Sequence, residues 1–197
     1  LSKFETKLKP GKVYHIWAHA INNENLFLHD DNYHFFLSRY EYYIHSICKT
    51  YAYCLLSNHL HLMVELKPIT DSTKVDYPKF FSQRFSNLFN SYAKSFNNVH
   101  NRKGTLFMRP FNRAQVIKDQ HFTSLIAYIH LNPVKHGFVN HPSSWPYSSY
   151  SAYLSKKPTR LSREVALNWF GNKQQYLKFH NEFRLELFEQ KFDNNQT

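Results

Sequence analysis

The chain has 197 residues, and 25 Lys and Arg against 14 Asp and Glu give a formal net charge of +11. With 42% apolar and 18% aromatic residues it can bury a core, which excludes wholesale disorder. Four glycines leave almost no material for a glycine-rich nucleotide loop, and Cys48 and Cys54 cannot make a disulfide framework or a four-cysteine zinc site.

In chain order, Lys12–Asn22 is rich in aromatic and β-prone residues and predicts a first strand. From Asn32 to about Ile47, Phe35, Phe36, Tyr40, Tyr43, Ile44 and Ile47 recur at helical spacing, with Asp30 or Asp31 as cap. Thr50–Ser57 and His59–Lys67 read as a hairpin turned at Ser57-Asn58. Tyr77–Val99 is a long amphipathic helix, and Thr105–Ile117 a strand bent at Pro110. A helix then runs from Asp119 to near Asn132-Pro133. Strand, helix, strand, strand, helix, strand, helix suggests an α+β sandwich of the ferredoxin-like kind, an antiparallel sheet with helices packed on it. Past Gly137 the periodicity fades, then returns from Ser162 to Phe188 with a break near Gly171. The expected organisation is an α+β domain over 1–140 and a C-terminal helical extension over 141–197 packed on it.

The charge and the many aromatic rings point to a polyanion. Lys and Arg neutralise phosphates, and Tyr, Phe, Trp and His stack on unpaired bases. No apolar run approaches the roughly 20 residues of a bilayer span, and the polar N-terminal stretch is no signal peptide, so no membrane partner is expected. The two cysteines fit a reducing, cytoplasmic setting.

The sharpest local feature is Asn58-His59-Leu60-His61-Leu62. Residues two apart on a strand share a face, so His59 and His61 project together while Leu60, Leu62 and Val64 turn to a core. Paired imidazoles can hold a divalent cation, and an isolated pair is equally a solvated strand face. Glu65 shares that parity and could orient a histidine or stay in solvent. In Tyr128-Ile129-His130-Leu131-Asn132-Pro133, Tyr128 and Asn132 are one helical turn apart and share a face. Read singly, Tyr128 is core or rim and Asn132 a helix cap.

Together NHLHLMVE, YIHLNPVKHGFV and WPYSSYSAYL, in that order, resemble the single-tyrosine HUH transposases, in particular their REP-associated tyrosine transposase branch. The resemblance runs from Tyr14 to about Phe179. It implies that His59 and His61, with Asn132 as third ligand, hold Mg²⁺ or Mn²⁺. It also implies that Tyr128 attacks a phosphodiester of single-stranded or hairpin DNA, giving a 5′-phosphotyrosine intermediate. Such a protein acts as a monomer or homodimer. Arg102, Lys103, Arg109, Arg113, Lys118 and Lys135 make a candidate nucleic-acid cradle around that site. The rival readings are a nucleic-acid-binding protein that keeps the fold without catalysis, and a metal-dependent hydrolase using water.

Overall fold

The structure, a computed structural model, describes residues 6–69, 75–108, 110–117 and 119–183. Strand β1 (Val13–His19) leads to helix α1 (Asp30–Tyr40), then strands β2 (Cys48–Leu55) and β3 (His59–Leu66). Helix α2 (Tyr77–Val99), strand β4 (Asn112–Val116) and helix α3 (Asp119–Lys135) follow. Helices α4 (Tyr150–Leu154), α5 (Arg163–Phe170) and α6 (Lys173–Glu182) complete the order. The strands form one antiparallel sheet in the order β2-β3-β1-β4. This is the α+β, ferredoxin-like sandwich expected from the element order, in which β3 inserts between β2 and β1.

Strand alternation sends two sets of side chains to two cores. On one face Tyr14, Ile16, Ala18, Leu60, Leu62 and Val64 are buried with Phe36 of α1 and with Phe81, Phe85, Leu88 and Tyr92 of α2. On the other, Val13, Ala52, Cys54, Met63 and Val116 meet Leu125, Ile126 and Ile129 of α3. A bulge between Thr50 and Ala52 lets Tyr51 join this second core.

Local chemistry explains most boundaries. Asp76 Oδ1 accepts from the Lys79 amide at 3.2 Å, and Pro78 in the first turn needs no donor, so α2 begins where its apolar stripe begins. The cap of α1 is His29 rather than either aspartate: Asn32 Oδ1 accepts from the amides of Leu28 and His29 at 2.9 and 3.1 Å. Asp30 and Asp31 lie in the first turn, against the positive helix end. The Ser57-Asn58 turn closes the hairpin through Leu56 N–H to the His59 carbonyl at 2.8 Å, and its carbonyls accept from Ala20, Leu26 and Phe27.

Three expectations shift. Strand β4 is only five residues long, and the stretch before Pro110 makes an isolated bridge from Phe107 to Ala20. Helix α3 runs through Pro133 to Lys135. It stops at Gly137, whose φ of 70° suits glycine, with Gly137 N–H to Val134 O at 3.0 Å and Phe138 N–H to Pro133 O at 2.9 Å. The aperiodic segment after residue 141 is shaped by the sheet. It lies along the outer edge of β2, where Leu55 N–H meets Tyr147 O, Ser149 N–H meets Tyr53 O and Ser162 N–H meets Thr50 O. An edge strand covered this way offers no unpaired backbone at those positions. The break between α5 and α6 is at Gly171, at φ 89°. No helix among the described residues is long and apolar enough to cross a membrane.

Candidate functional site

The face of the sheet that meets α3 carries histidines on two adjacent strands. His59 and His61 of β3 share it, as their spacing predicts, and antiparallel pairing sets His19 opposite His59 and Trp17 opposite His61. The His19 and His59 rings stack at 4.9 Å, and the His59 and His61 centroids are 5.1 Å apart. His15 reaches diagonally, its Nε2 lying 2.9 Å from His61 Nδ1.

Helix α3 closes over this layer. The half-buried Tyr128 ring stands edge-on to His61 at 5.6 Å and to His15 at 6.2 Å. One turn later Asn132 is fully buried, and its Nδ2 donates to the Tyr128 carbonyl at 2.8 Å. That bond assigns the amide: nitrogen toward the carbonyl, Oδ1 toward His59. Beyond the helix end, His136 comes within 4.9 Å of the His59 ring, and Lys135 Nζ lies 5.9 Å from the Tyr128 centroid.

Burial holds the imidazoles neutral. His59 is pushed down to about 3, mainly by desolvation and then by His19 and His136, with Asn132 opposing the shift. His61 is held well below its ordinary value by desolvation, then by His15 and His59. A neutral imidazole is the ligating form. The Asn132 influence on His59 stops short of a hydrogen bond, because Oδ1 is buried with no partner of bonding geometry. An orphaned buried carbonyl oxygen normally costs about 1–3 kcal/mol, so a cation-facing role accounts for it better than packing does. His59 Nδ1 is engaged with Asn58 Oδ1 at 2.7 Å and His61 Nδ1 with His15. Each of these two histidines therefore leaves its Nε2 available, and two imidazole nitrogens with one amide oxygen make a donor set that would suit Mn²⁺ or a partly hydrated Mg²⁺. Among the described residues no three His, Cys, Asp or Glu side chains converge as a metal site. Glu65 shares the histidine face and is taken by Lys49 and Tyr51 instead.

The described basic residues do not gather as one cradle. Lys135 stands beside Tyr128, and Lys103 is exposed in the loop after α2. Arg102 braces that loop: Nε donates to Glu24 at 2.5 Å, and its terminal nitrogens donate to Asn97 Oδ1 and the Thr105 carbonyl. Arg113 points to the opposite face, where it donates to the Thr6 carbonyl at 2.8 Å and the Ser82 hydroxyl at 3.3 Å. β4 is antiparallel to β1, with Arg113 opposite Ile16, so it takes the parity of the α2 core. Arg109 and Lys118 lie outside the described residues.

A second histidine cluster escapes the sequence. On the far side of α3, His130 Nδ1 is 3.1 Å from His180 Nε2 and from the Tyr176 hydroxyl, and its Nε2 is 2.7 Å from Ser149 Oγ. His180 Nδ1 donates to the Tyr176 carbonyl at 2.8 Å. His15 and His19 were legible only as parity on β1, since their meeting with β3 depends on register.

No family model matches the chain. A Haemophilus influenzae protein named "Putative REP-associated tyrosine transposase" is 30% identical over 104 residues, 52% of this chain and 58% of that protein. This chain therefore spans less than two thirds of that relative. A solved REP-associated tyrosine transposase bound to a REP hairpin superposes with a TM-score of 0.64 at 18% identity, covering 80% of this chain and 89% of that one. A bacterial tRNA(His) guanylyltransferase-like protein in complex with ATP reaches a TM-score of 0.45 at 12% identity over 85% of this chain and 73% of that one, a level that carries no argument. The resemblance read from the three motifs is thus seen in sequence, and the fold is that of the transposase solved with its hairpin.

Proposed function

We propose that this chain, similar in sequence and alike in fold to REP-associated tyrosine transposases, is a divalent-metal-dependent HUH enzyme that cuts and rejoins single-stranded or hairpin DNA. The observation that carries the reading is the half-buried Tyr128 ring, set edge-on to His61 at 5.6 Å, with the orphaned Asn132 oxygen one turn along the same helix. Tyr128 is the nucleophile. Its oxygen attacks phosphorus and gives up its proton, the bond from phosphorus to the 3′ oxygen breaks, and that oxygen leaves as a hydroxyl after taking a proton. The 5′ phosphate stays esterified to Tyr128 until a DNA 3′ hydroxyl attacks it and frees the phenol. The ester conserves the energy of the broken bond, so no nucleotide cofactor is needed.

His59, His61 and Asn132 are the groups that would hold Mg²⁺ or Mn²⁺. When bound, the cation withdraws charge from the phosphate and orients it for in-line attack. Lys135 Nζ, 5.9 Å from the Tyr128 ring centroid, places a positive charge beside the phenol where a phosphate would approach. The net charge of +11 supplies attraction for phosphates.

The test is incubation with hairpin oligonucleotides carrying single-stranded flanks and Mn²⁺, read on a denaturing gel. A covalent protein–DNA adduct, lost in Tyr128→Phe, is expected. Cutting without an adduct would replace this reading with hydrolysis by water. Tight binding without cutting would leave a binding protein that keeps the fold.

A further inference from the structure

We propose that His15 is a positioning residue whose Nε2 accepts the Nδ1–H of His61 and so selects which nitrogen of His61 meets the cation. The inference rests on His61 being a metal ligand. The two ring nitrogens are 2.9 Å apart and both residues are buried, so one proton lies between them. A neutral imidazole carries a single N–H. If His15 donated it, the proton of His61 would sit on Nε2 and that nitrogen could not ligate. Ligation through Nε2 therefore requires the proton on His61 Nδ1 and a lone pair on His15 Nε2. His59 has a parallel arrangement with a different acceptor, because Asn58 Oδ1, 2.7 Å from its Nδ1, can only accept. One ligand is thus oriented by an amide from its own turn, the other by an imidazole from the neighbouring strand.

His15 is itself held. It stacks on Trp17 at 4.6 Å and 24°, and stands edge-on to Tyr128 at 6.2 Å and 84°. The same ring therefore touches a proposed ligand and the proposed nucleophile, so its orientation joins the two halves of the site.

Long-range ¹H–¹⁵N correlation spectra of the metal-free protein, labelled at histidine, read the tautomers directly. A proton on Nδ1 of His61 is expected. A proton on its Nε2, with His15 as donor, would overturn the assignment. In His15→Phe the ring and its stacking remain and the acceptor is gone. Calorimetric titration with Mn²⁺ should show affinity falling about 10- to 100-fold, while hairpin binding in chelator is unchanged. His15→Gln restores an acceptor and should recover part of the loss. Wild-type Mn²⁺ affinity in folded His15→Phe would sink the idea. Failure of the underlying reading looks different: His61→Ala would then bind Mn²⁺ as well as wild type does, and the role of His15 would fall with it.

Discussion

Two histidine clusters flank α3, made of the same side chains and left in opposite states. Toward the sheet, His15, His19, His59 and His61 stand under a half-buried Tyr128, with a buried Asn132 oxygen unmet. Toward the C-terminal segment, His130 and His180 bond to each other, to Ser149 and to Tyr176, and every ring nitrogen has a partner. In that second region the Tyr150 hydroxyl is the unmet group. The helix explains the split: His130 is two residues from both Tyr128 and Asn132, about 200° around the axis from each. Burial alone therefore does not mark a functional histidine. What distinguishes the first cluster is a buried amide oxygen left unmet beside a half-buried phenol. In the second every imidazole nitrogen is met by a neighbour, and these bonds fasten α6 and the start of α4 to the core.

That contrast can be broken by substitution. Tyr128→Phe should abolish cleavage with the melting temperature nearly unchanged, since the ring still packs; normal cutting by this variant would remove the nucleophile. His59→Ala and His61→Ala should each lose calorimetric Mn²⁺ binding and cleavage while keeping hairpin affinity. Asn132→Ala should be milder, about tenfold in Mn²⁺ affinity, because water can take an amide's place. Across the helix, His180→Ala leaves His130 without one partner and should cost about 2 kcal/mol in urea unfolding, with Mn²⁺ affinity intact. A fall in Mn²⁺ affinity there would show that the clusters are not separate.

A pH series sharpens the same contrast. Desolvation lowers His180 to about 4, against an unfolded value of about 6.5. Between those values the unfolded chain holds a proton that the folded chain refuses. Stability is therefore full above about 6.5 and falls toward 4, by up to about 1.4 kcal/mol per pH unit from this one group. Facing it are His130 of α3, Tyr150 of α4, Phe170 of α5 and Tyr176 of its own helix. His180→Gln should flatten the slope of unfolding free energy against pH by one proton's worth. An unchanged slope would mean that His180 is not held neutral by burial.

The smallest effect concerns salt. Lys135→Ala should reduce the slope of log DNA affinity against log salt by about 0.9. Arg113→Ala should lower stability and leave that slope alone, because its guanidinium bonds to Thr6 and Ser82 on the far face. A flattened slope in Arg113→Ala would return it to the cradle.

Much of this was legible in the chain. The shared face of His59 and His61 follows from strand parity, the α2 core stripe from helical period, and the alignment of Tyr128 with Asn132 from one helical turn. Each depends only on the periodicity of one segment, and three motifs in order were enough to suggest a family. The remainder was decided between segments far apart. His15 meets His61 because β1 and β3 pair in one register, and a slip by one residue would send it to the α2 core. Arg113 left the expected cradle because β4 pairs with β1 at a parity its own sequence does not state. Residues 147–162 follow the edge of β2 through bonds to Thr50, Tyr53 and Leu55, and His130 meets His180 across fifty residues of chain. Local period is written in a segment's own residues, whereas register, edge covering and the unmet oxygen of Asn132 exist only once the layers have closed.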